Sequence, residues 1–232
     1  MNYIGDELEL FREARKWKSY YASILHQWIR GVVIEAGAGI GGSTPFLFND
    51  AVESWNCVEP DARFRDALLA VEASLAEKAP VAIHIGKLRS LAGASADCIL
   101  YIDVLEHIED DGDELEYAAS CLKPGGHIVV LAPAHQFLYS AFDRAIGHFR
   151  RYDRESIRAC IPANCQLKGP WFLDSLGMAL SLGNRLLLKQ SAPTPTQIRF
   201  WDSWLLPISR LLDFLFRYSI GKTVVWVLER KG

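Results

Sequence analysis

The chain has 232 residues, half of them apolar and 23% charged, so it can bury one substantial core and has the composition of an ordinary globular enzyme. Its net charge is −3 and its lysines and arginines form no block, which argues against a nucleic-acid partner. No apolar run reaches the ~18 residues of a membrane-spanning helix, and acidic residues near the start argue against a signal peptide. The five cysteines are scattered, as in a cytoplasmic protein with reduced thiols.

The first predicted element is a helix over residues 3–30. Apolar and aromatic side chains recur there at three- and four-residue steps, and Gly31 is expected to end the helix. A helix before the first strand suggests a flap over the mouth of a cofactor site, with Tyr20 as a ligand contact. Plain packing is the alternative for this aromatic face.

The chain is organised around residues 32–44. A short β-branched run predicts a buried parallel strand, four glycines follow within six positions, and Ser43 with Thr44 marks a helix start. Glycine lets the backbone approach a ligand closely, and a helix N-terminus offers free N–H groups, so this is a nucleotide cradle. Its predicted cofactor contacts are Glu35, Gly37, Gly39, Gly41, Gly42 and Thr44.

A second predicted strand, residues 54–58, ends at Glu59 and Pro60. An acid at this place accepts hydrogen bonds from ribose hydroxyls. Three of the glycines also satisfy the G-x-G-x-x-G fingerprint, so a dinucleotide dehydrogenase stays open. Glu35 favours another ligand, because a carboxylate at the strand end repels a pyrophosphate but suits the ammonium and sulfonium of S-adenosylmethionine.

The run Glu35-x-Gly37-x-Gly39-x-Gly41 resembles the first motif of class I S-adenosylmethionine-dependent methyltransferases. Asp103-Val104-Leu105-Glu106-His107-Ile108, after a predicted fourth strand at 97–103, resembles the type 11/12 small-molecule group of that family. The turn Leu122-Lys123-Pro124-Gly125-Gly126 resembles the one before the family's fifth strand, predicted here at 128–132. The resemblance implies that Asp103, Val104 and Leu105 lie beside the cofactor's methionine end and that His107 lies near the site.

Two further expectations concern the cofactor pocket. The third predicted strand, 81–85, leads to Lys87 and Leu88, where the family usually presents an acid or amide to adenine. Adenine would then be contacted by Leu88 and backbone groups beside Lys87. The acidic residues at 109–114 read as the first turn of a helix rather than as ligands, so no metal is expected.

The loop after the fifth strand carries the candidate acceptor chemistry, and it resembles a bacterial branch with a Gly-His-x-Arg-Arg-Tyr signature that acts on glycans, lipids or secondary metabolites. His148 is the first candidate for a general base and His135 the second. The predicted acceptor contacts are His107, Tyr139, Arg150, Arg151 and Tyr152. The alternative is a capped helix entry at Asp153, with both arginines paired to nearby carboxylates.

Strands are also predicted at 165–173 and 222–229, and residues 174–221 form an apolar insert between them. Two amphipathic helices covering the acceptor pocket are the first interpretation, with Trp201 and Trp204 facing the acceptor. A dimer interface, a membrane-surface face and ordinary packing remain alternatives.

The expected fold is α/β: one domain over 1–232 with a Rossmann-like, seven-stranded class I methyltransferase sheet. Residues 1–30 form the N-terminal flap, 31–173 and 222–232 the core, and 174–221 the insert. The expected reaction transfers a methyl group from S-adenosylmethionine to a small, lipid-like or glycan-linked acceptor, preferably at oxygen, and leaves S-adenosylhomocysteine. N- or C-methylation of a secondary metabolite and a catalytically silent cofactor-binding subunit are the alternatives. A monomer or homodimer is expected, with peripheral membrane contact as a possible addition.

Overall fold

A single seven-stranded sheet organises the computed structural model, which describes residues 8, 11–91, 93–183 and 194–232. The strands are β1 Gly31–Ala36, β2 Val52–Glu59, β3 Val81–Ile85, β4 Ala96–Ile102, β5 Leu122–Pro133, β6 Cys165–Leu173 and β7 Thr223–Arg230. Their order is β3-β2-β1-β4-β5-β7-β6. The first five strands are parallel, and β7 is antiparallel to both of its neighbours. The predicted fold class is confirmed.

Nine α-helical segments are described. They are α1 Arg15–Leu25, α2 Thr44–Leu47, α3 Arg65–Leu75, α4 Asp111–Cys121, α5 Ala141–Ala145, α6 Arg154–Ala159, α7 Ser175–Gly183, α8 Pro195–Phe200 and α9 Leu206–Leu215, with a π-helical segment Trp201–Leu205 joining the last two. The predicted helix over 3–30 is shorter among the described residues, because α1 is followed only by a 3₁₀ turn, His26–Trp28. Residues 1–7, 9 and 10 of that prediction, and 184–193 of the insert, lie outside the described part. None of the described helices has both the length and the apolar composition to cross a bilayer.

The central strands are apolar throughout because the sheet is covered on both faces. In β1, Ile34 packs into the core on one face and Val33 into the core on the other. In β5, Val130 and Val129 divide in the same way. The continuous apolar runs in the sequence therefore reflect a strand buried on both sides.

The fifth strand begins earlier than predicted. Helix α4 ends at Cys121 and β5 starts at Leu122, so the Lys-Pro-Gly-Gly run lies within the strand instead of before it. Ala96 pairs with Leu122 and Cys98 pairs with His127, which leaves residues 123–126 bulged opposite a single residue of β4. Gly125 adopts a φ of +74°, which a side chain would disfavour.

Buried carboxylates tie the insert to α1 and to the edge of the sheet. Asp213 accepts hydrogen bonds from the Tyr20 hydroxyl at 2.8 Å and from the backbone N–H groups of Asp174 and Ser175 at 2.7 and 2.8 Å. Asp202 accepts from the N–H of Trp17 at 2.8 Å, at the free N-terminus of α1. The insert thereby positions α1, so part of it is ordinary structural packing.

The outer side of the insert carries large apolar side chains that the described residues do not cover. We call this the insert face, and it consists of Phe200, Trp204, Ile208, Leu211, Phe214 and Leu215, each more than half exposed. Trp204 is 69% exposed and does not line the cavity described below, so the expectation that it faces the acceptor is wrong. Single exposed apolar residues are normal on protein surfaces, but a patch of six large ones indicates an interaction surface.

Candidate active site

A cavity of about 1800 Å³ lies at the carboxyl ends of β1, β2 and β4. The loop after β1 and the end of β2 form one side of it, and the turn after β4 forms the floor. The loop after β5 and part of the insert complete the walls. Ligands of open α/β sheets bind at this edge.

Glycine residues are needed for the conformation of the loop after β1, because side chains at these positions would clash or be strained. Gly37 has a φ of +70°, and a Cβ there would lie 2.6 Å from the Val104 side chain. The loop after β1 can therefore pack directly against the turn after β4. Gly39 has a φ of +55°, and a Cβ there would lie 3.1 Å from a methyl group of Leu8.

Glu59 fixes the glycine loop from the neighbouring strand. Its two oxygens accept hydrogen bonds from the N–H groups of Gly39 and Asp61, both at 2.8 Å. Burial raises the pKa of Glu59, and these two hydrogen bonds oppose the shift. Each carboxylate oxygen has a second lone pair, so the group can still accept hydrogen bonds from the cavity side.

Glu35 lies at the end of β1 and has partners within the protein. One oxygen, Oε2, accepts from the Thr44 hydroxyl at 2.6 Å and from the Trp55 indole nitrogen at 3.0 Å. The residue also lines the cavity. Complete burial raises the pKa of Glu35 to about 7, although the two hydrogen bonds act in the opposite direction. The carboxylate thus joins the helix start at α2 to β2, besides facing the cavity.

A second polar group belongs to the connection after β5 and lines the same cavity. His148 donates from Nδ1 to Asp143 Oδ1 at 3.0 Å if that nitrogen carries the proton. Asp143 also accepts two bonds from Arg151, at 2.8 and 2.9 Å, and a backbone bond from Ser140 at 2.8 Å. Burial alone would raise the pKa of Asp143, but the bonds from His148 and Arg151 outweigh it and hold the pKa well below its usual range. Asp143 is therefore an ionised support for the imidazole.

Glu106 lies next to this histidine and is completely buried. Neither of its carboxylate oxygens has a hydrogen-bond partner among the described residues, and Oε1 lies 3.8 Å from Nε2 of His148. Burial raises the pKa of Glu106 well above its usual value. The ring of His107 meets that of His148 edge-on, with centroids 4.6 Å apart. Burial, followed by the repulsion that His148 would exert on a second positive charge, lowers the pKa of His107 to about 4, so the His107 ring is neutral near pH 7.

The structure brings most of the sequence-predicted site residues to this one cavity. Those on its walls are Glu35, Gly37, Gly39, Gly42, Glu59, Pro60, Lys87, Leu88, Asp103, Val104, His107, Tyr139, His148, Arg151 and Trp201. Asp103 adopts a φ of +54° at the tip of the turn after β4, and desolvation by the cavity walls raises its pKa to about 6, although solvent still reaches the side chain. Its carboxyl group thus stands at the meeting point of the glycine loop and the histidines.

Seven predicted residues lie outside the cavity walls, which corrects their placement. They are Tyr20, Gly41, Thr44, Leu105, His135, Arg150 and Tyr152. Tyr20 is bound to Asp213, Thr44 to Glu35, and Leu105 is buried in the core. A Cβ on Gly41 would meet Val71 of α3 rather than the cavity.

The three loop residues of this group are engaged by the protein itself. His135 stacks on Phe172 with centroids 5.0 Å apart, and burial lowers its pKa. Arg150 pairs with Asp111, which also accepts from the Tyr152 hydroxyl at 2.8 Å. With Arg151 held by Asp143, neither arginine offers an unpaired fork for an anionic acceptor. The capped-helix alternative anticipated the pair of Arg151 with Asp143, whereas the partner of Arg150 is the distant Asp111. Asp153 caps α6.

Sequence reasoning did not assign a site role to Lys18 or Glu106. Lys18 lies on the cavity wall, only 7% exposed, and its ammonium donates to the carbonyl oxygen of Arg12 at 3.1 Å. The one signal in the sequence was the position of Lys18 between Trp17 and the pair of tyrosines at 20 and 21. Glu106 was predicted only as a member of the motif after the fourth strand, and only the folded geometry shows that its oxygens accept no hydrogen bond.

Comparison with known proteins accounts for this arrangement. The family described as "Methyltransferase domain" matches residues 8–164, well over half of the chain. The chain belongs to this family. Among proteins of curated function, none matches. The resemblance to class I S-adenosylmethionine-dependent methyltransferases is confirmed, and the family sets the dehydrogenase alternative aside.

Solved structures of this methyltransferase fold are similar over almost the whole chain. A geranyl diphosphate methyltransferase in complex with SAM has a TM-score of 0.65 at 15% identity, over 99% of this chain and 91% of the other. The YcgJ protein from Bacillus subtilis has a TM-score of 0.61 at 16% identity, over 92% and 98%. A Haloferax volcanii methyltransferase solved with the Trm112 methyltransferase activator has a TM-score of 0.62 at 17% identity, over 95% of this chain and 92% of the other. At these identities the likeness concerns the fold.

Proposed function

We propose that this methyltransferase takes its methyl group from S-adenosylmethionine and transfers it to a hydroxyl oxygen of a small, lipid-like acceptor. One observation carries the proposal. The glycine loop with Glu59 and the pair of Asp103 and His148 line one and the same cavity. A nucleoside-binding end and a proton-accepting end are what methyl transfer to oxygen requires.

The residues present fit the cofactor. Glu59 retains lone pairs for ribose hydroxyls, and Leu88 beside Lys87 offers an apolar wall for adenine. Glu35 and Asp103 provide carboxylates at the end where the ammonium and sulfonium would lie. When bound, S-adenosylmethionine supplies an electrophilic methyl group on a sulfonium. The protein's part is to align the acceptor, to exclude water and to accept a proton.

His148 is the proposed proton acceptor in the metal-free enzyme. Asp143 bonds to Nδ1 and so presents Nε2 on the opposite side of the ring, toward Glu106 at the cavity wall. The nearby walls include Leu138, Phe142, Ile146 and Phe149. An apolar acceptor that carries one hydroxyl matches this combination, because apolar walls exclude water while one polar group orients the ligand.

The insert face supports a lipid-like acceptor. Phe200 belongs both to that face and to the cavity wall, so the apolar surface is continuous with the site. Helices α8 and α9 and the π segment contain two acids, Asp202 and Asp213, and both are buried in hydrogen bonds to the protein. The exposed charges in these segments are therefore both positive, on Arg199 and Arg210, and Arg217 follows two residues after α9. An apolar, aromatic face edged by arginines complements an anionic membrane surface.

The methyl-transfer proposal is tested by cofactor binding and single-turnover transfer. We expect S-adenosylmethionine and S-adenosylhomocysteine to bind in calorimetry, and labelled methyl to appear in an extract-derived lipid or small molecule. His148→Ala should lower kcat by roughly 10²–10⁴ with cofactor affinity unchanged. Cofactor binding without any transfer across acceptor pools would favour a silent partner subunit. Undiminished transfer by His148→Ala would leave this histidine structural.

The membrane proposal is tested by sedimentation with vesicles of neutral or partly anionic lipid. We expect the protein to bind the anionic vesicles. The double variant Trp204→Ser/Leu211→Ser should lose at least about tenfold in vesicle affinity, because burying each of these apolar side chains contributes about 1.5–3 kcal/mol to binding. Phe137→Ser is the matched control, because Phe137 is 52% exposed and does not belong to the insert face. Absence of vesicle binding, with a dimer that the double variant dissociates, would assign the insert face to self-association.

A further inference from the structure

We infer that Glu106, His107 and His148 form a binding site for one divalent transition-metal cation at the acceptor end of the cavity. The part of the inference that concerns the acceptor rests on the proposed function. The sequence predicted no metal, because only the acidic run at 109–114 suggested one. The present cluster is a different set of residues, assembled from the turn after β4 and the loop after β5.

The three side chains lie close enough together to share one cation. One possible ligand atom from each of the three side chains lies within 4.8 Å of the other two. Nε2 of His148 and Oε1 of Glu106 are 3.8 Å apart. Ligands bound at about 2.1 Å from a tetrahedral or octahedral metal are separated by roughly 3.0–3.5 Å, so shifts of less than about 1 Å would complete the coordination.

The carboxylate of Glu106 accepts no hydrogen bond from a described residue and is therefore available to a cation. The side chain is completely buried on the cavity wall, and neither oxygen accepts a hydrogen bond from a described residue. Buried carboxylates in folded proteins are almost always paired, hydrogen-bonded or bound to a metal, because an isolated buried charge is costly. Among the described residues, the buried acids Asp143 and Asp213 follow that rule with three or more hydrogen bonds each. Glu106 lacks a partner at a place that faces the ligand.

His148 is held by a carboxylate in the way that metal-binding histidines usually are. A metal-binding histidine usually donates its other ring nitrogen to a carboxylate, which fixes the ring and raises its basicity. Asp143 supplies this carboxylate at 3.0 Å, and Arg151 in turn fixes Asp143. The same arrangement therefore orients Nε2 toward Glu106 and keeps it available as a ligand.

The donor set indicates the class of cation. Two imidazole nitrogens and one carboxylate suit Zn²⁺, Mn²⁺, Co²⁺ or Fe²⁺, whereas Ca²⁺ and Mg²⁺ prefer sites made of oxygen atoms. Three protein ligands leave coordination positions open toward the cavity, where an acceptor oxygen can bind. The acceptor would then carry a hydroxyl group, or two neighbouring oxygens, at its reacting end.

Cation binding changes the part that His148 plays in the proposed reaction. While Nε2 binds a metal it cannot accept a proton, so the cation lowers the pKa of the acceptor hydroxyl and the proton leaves to water. The acceptor oxygen then forms the new bond to the methyl carbon. The carbon–sulfur bond breaks and its electron pair stays on sulfur, so the atoms and charges balance.

Equilibrium dialysis of the chelator-treated full chain against Zn²⁺, Co²⁺ or Mn²⁺ tests the site, with the visible spectrum of Co²⁺ reporting the ligands. We expect one cation per chain, and at least an about tenfold loss of affinity in Glu106→Gln and in His148→Ala, the scale of losing a metal-site partner. His26→Ala is the control, because His26 is exposed and bonds to the carbonyl oxygen of Phe46, away from the cluster. Absence of saturable binding, or equal affinity in Glu106→Gln and the unmodified chain, would overturn the site.

Thermal unfolding supplies a readout that a structural role would not give. Without metal, Glu106→Gln should unfold at the same temperature or higher, since it removes a buried unpaired acid. The cation should raise the unfolding temperature of the unmodified chain only. A loss of stability in metal-free Glu106→Gln would show that the carboxylate serves the fold, against the inference. S-adenosylhomocysteine binding, measured in metal-free protein, tests the proposed function separately from the metal.

Discussion

Glu35 makes cofactor binding depend on pH in a way that can be calculated. Burial raises the pKa of this carboxyl to about 7 in the free protein. A bound ammonium or sulfonium favours the ionised form and should return the pKa toward its ordinary value of about 4.3. The ligand therefore binds the ionised form better, and binding below pH ~7 releases a proton.

The magnitude follows from the fraction of Glu35 that must lose its proton. Affinity is reduced by the factor 1 + 10^(pKa − pH), which is about 11 at pH ~6 and about 1.1 at pH ~8 for a pKa of about 7. We expect S-adenosylhomocysteine to bind about tenfold more weakly at pH ~6 than at pH ~8, a difference of about 1.4 kcal/mol. The sign is fixed because the raised pKa lies in the free state, so protonation competes with the ligand.

Calorimetry across this range, in two buffers of different ionisation enthalpy, measures both the affinity and the proton release. Glu35→Gln is the matched control, because both internal hydrogen bonds go to a single oxygen that an amide also possesses. Asp103→Asn separates the second titrating acid, whose pKa lies at about 6. A flat profile in the unmodified protein would refute the reasoning. So would an equal slope in Glu35→Gln, because the proton would then belong to another group.

Two further predictions concern the cradle and the insert. Gly39→Val should abolish S-adenosylhomocysteine binding in calorimetry, because a branched side chain at a φ of +55° must reach Leu8 and fill the cradle, whereas Gly112→Ala in α4 should not. Asp213→Ala should lower the free energy of unfolding in urea by about 3–5 kcal/mol, because three buried donors lose an ionised acceptor, whereas the exposed Asp66→Ala should change it little. Full cofactor affinity in the first variant, or an unchanged urea midpoint in the second, would contradict these assignments.

The sheet could be predicted from sequence because its signals are local. Each buried strand is a run of apolar residues, and Glu59 lies at the end of its strand, as predicted. The bulge in β5 was not foreseen. The Lys-Pro-Gly-Gly run has the composition of a turn, and its place inside a strand depends on pairing with β4, more than twenty residues away in the chain.

The polar partners in the site could not be predicted, because they join residues distant in sequence. Nothing near Arg150 indicates that Asp111 is its partner, and nothing near Tyr20 indicates Asp213. Arginine and tyrosine are common in active sites, so both residues were predicted to contact ligands. In the folded chain their side chains bond to carboxylates of the protein instead. Glu106 is the converse case, since a charged residue beside His107 is unremarkable until both oxygens are found buried and unpaired.

The contrast among the buried acids separates structural support from ligand binding. Asp213 and Asp143 hold their neighbours through several short bonds, and removing such an acid leaves buried donors without an acceptor. Glu106 accepts no hydrogen bond from a described residue, and its nearest charged partner, Nε2 of His148, is 3.8 Å away, so the free protein bears most of the cost of burying this acid. Any ligand that supplies a positive charge or a donor at that point gains the interaction without breaking one. The most selective binding in this cavity is therefore expected at Glu106, where the fold has left an acceptor unused, rather than at the arginines, which the fold has already paired.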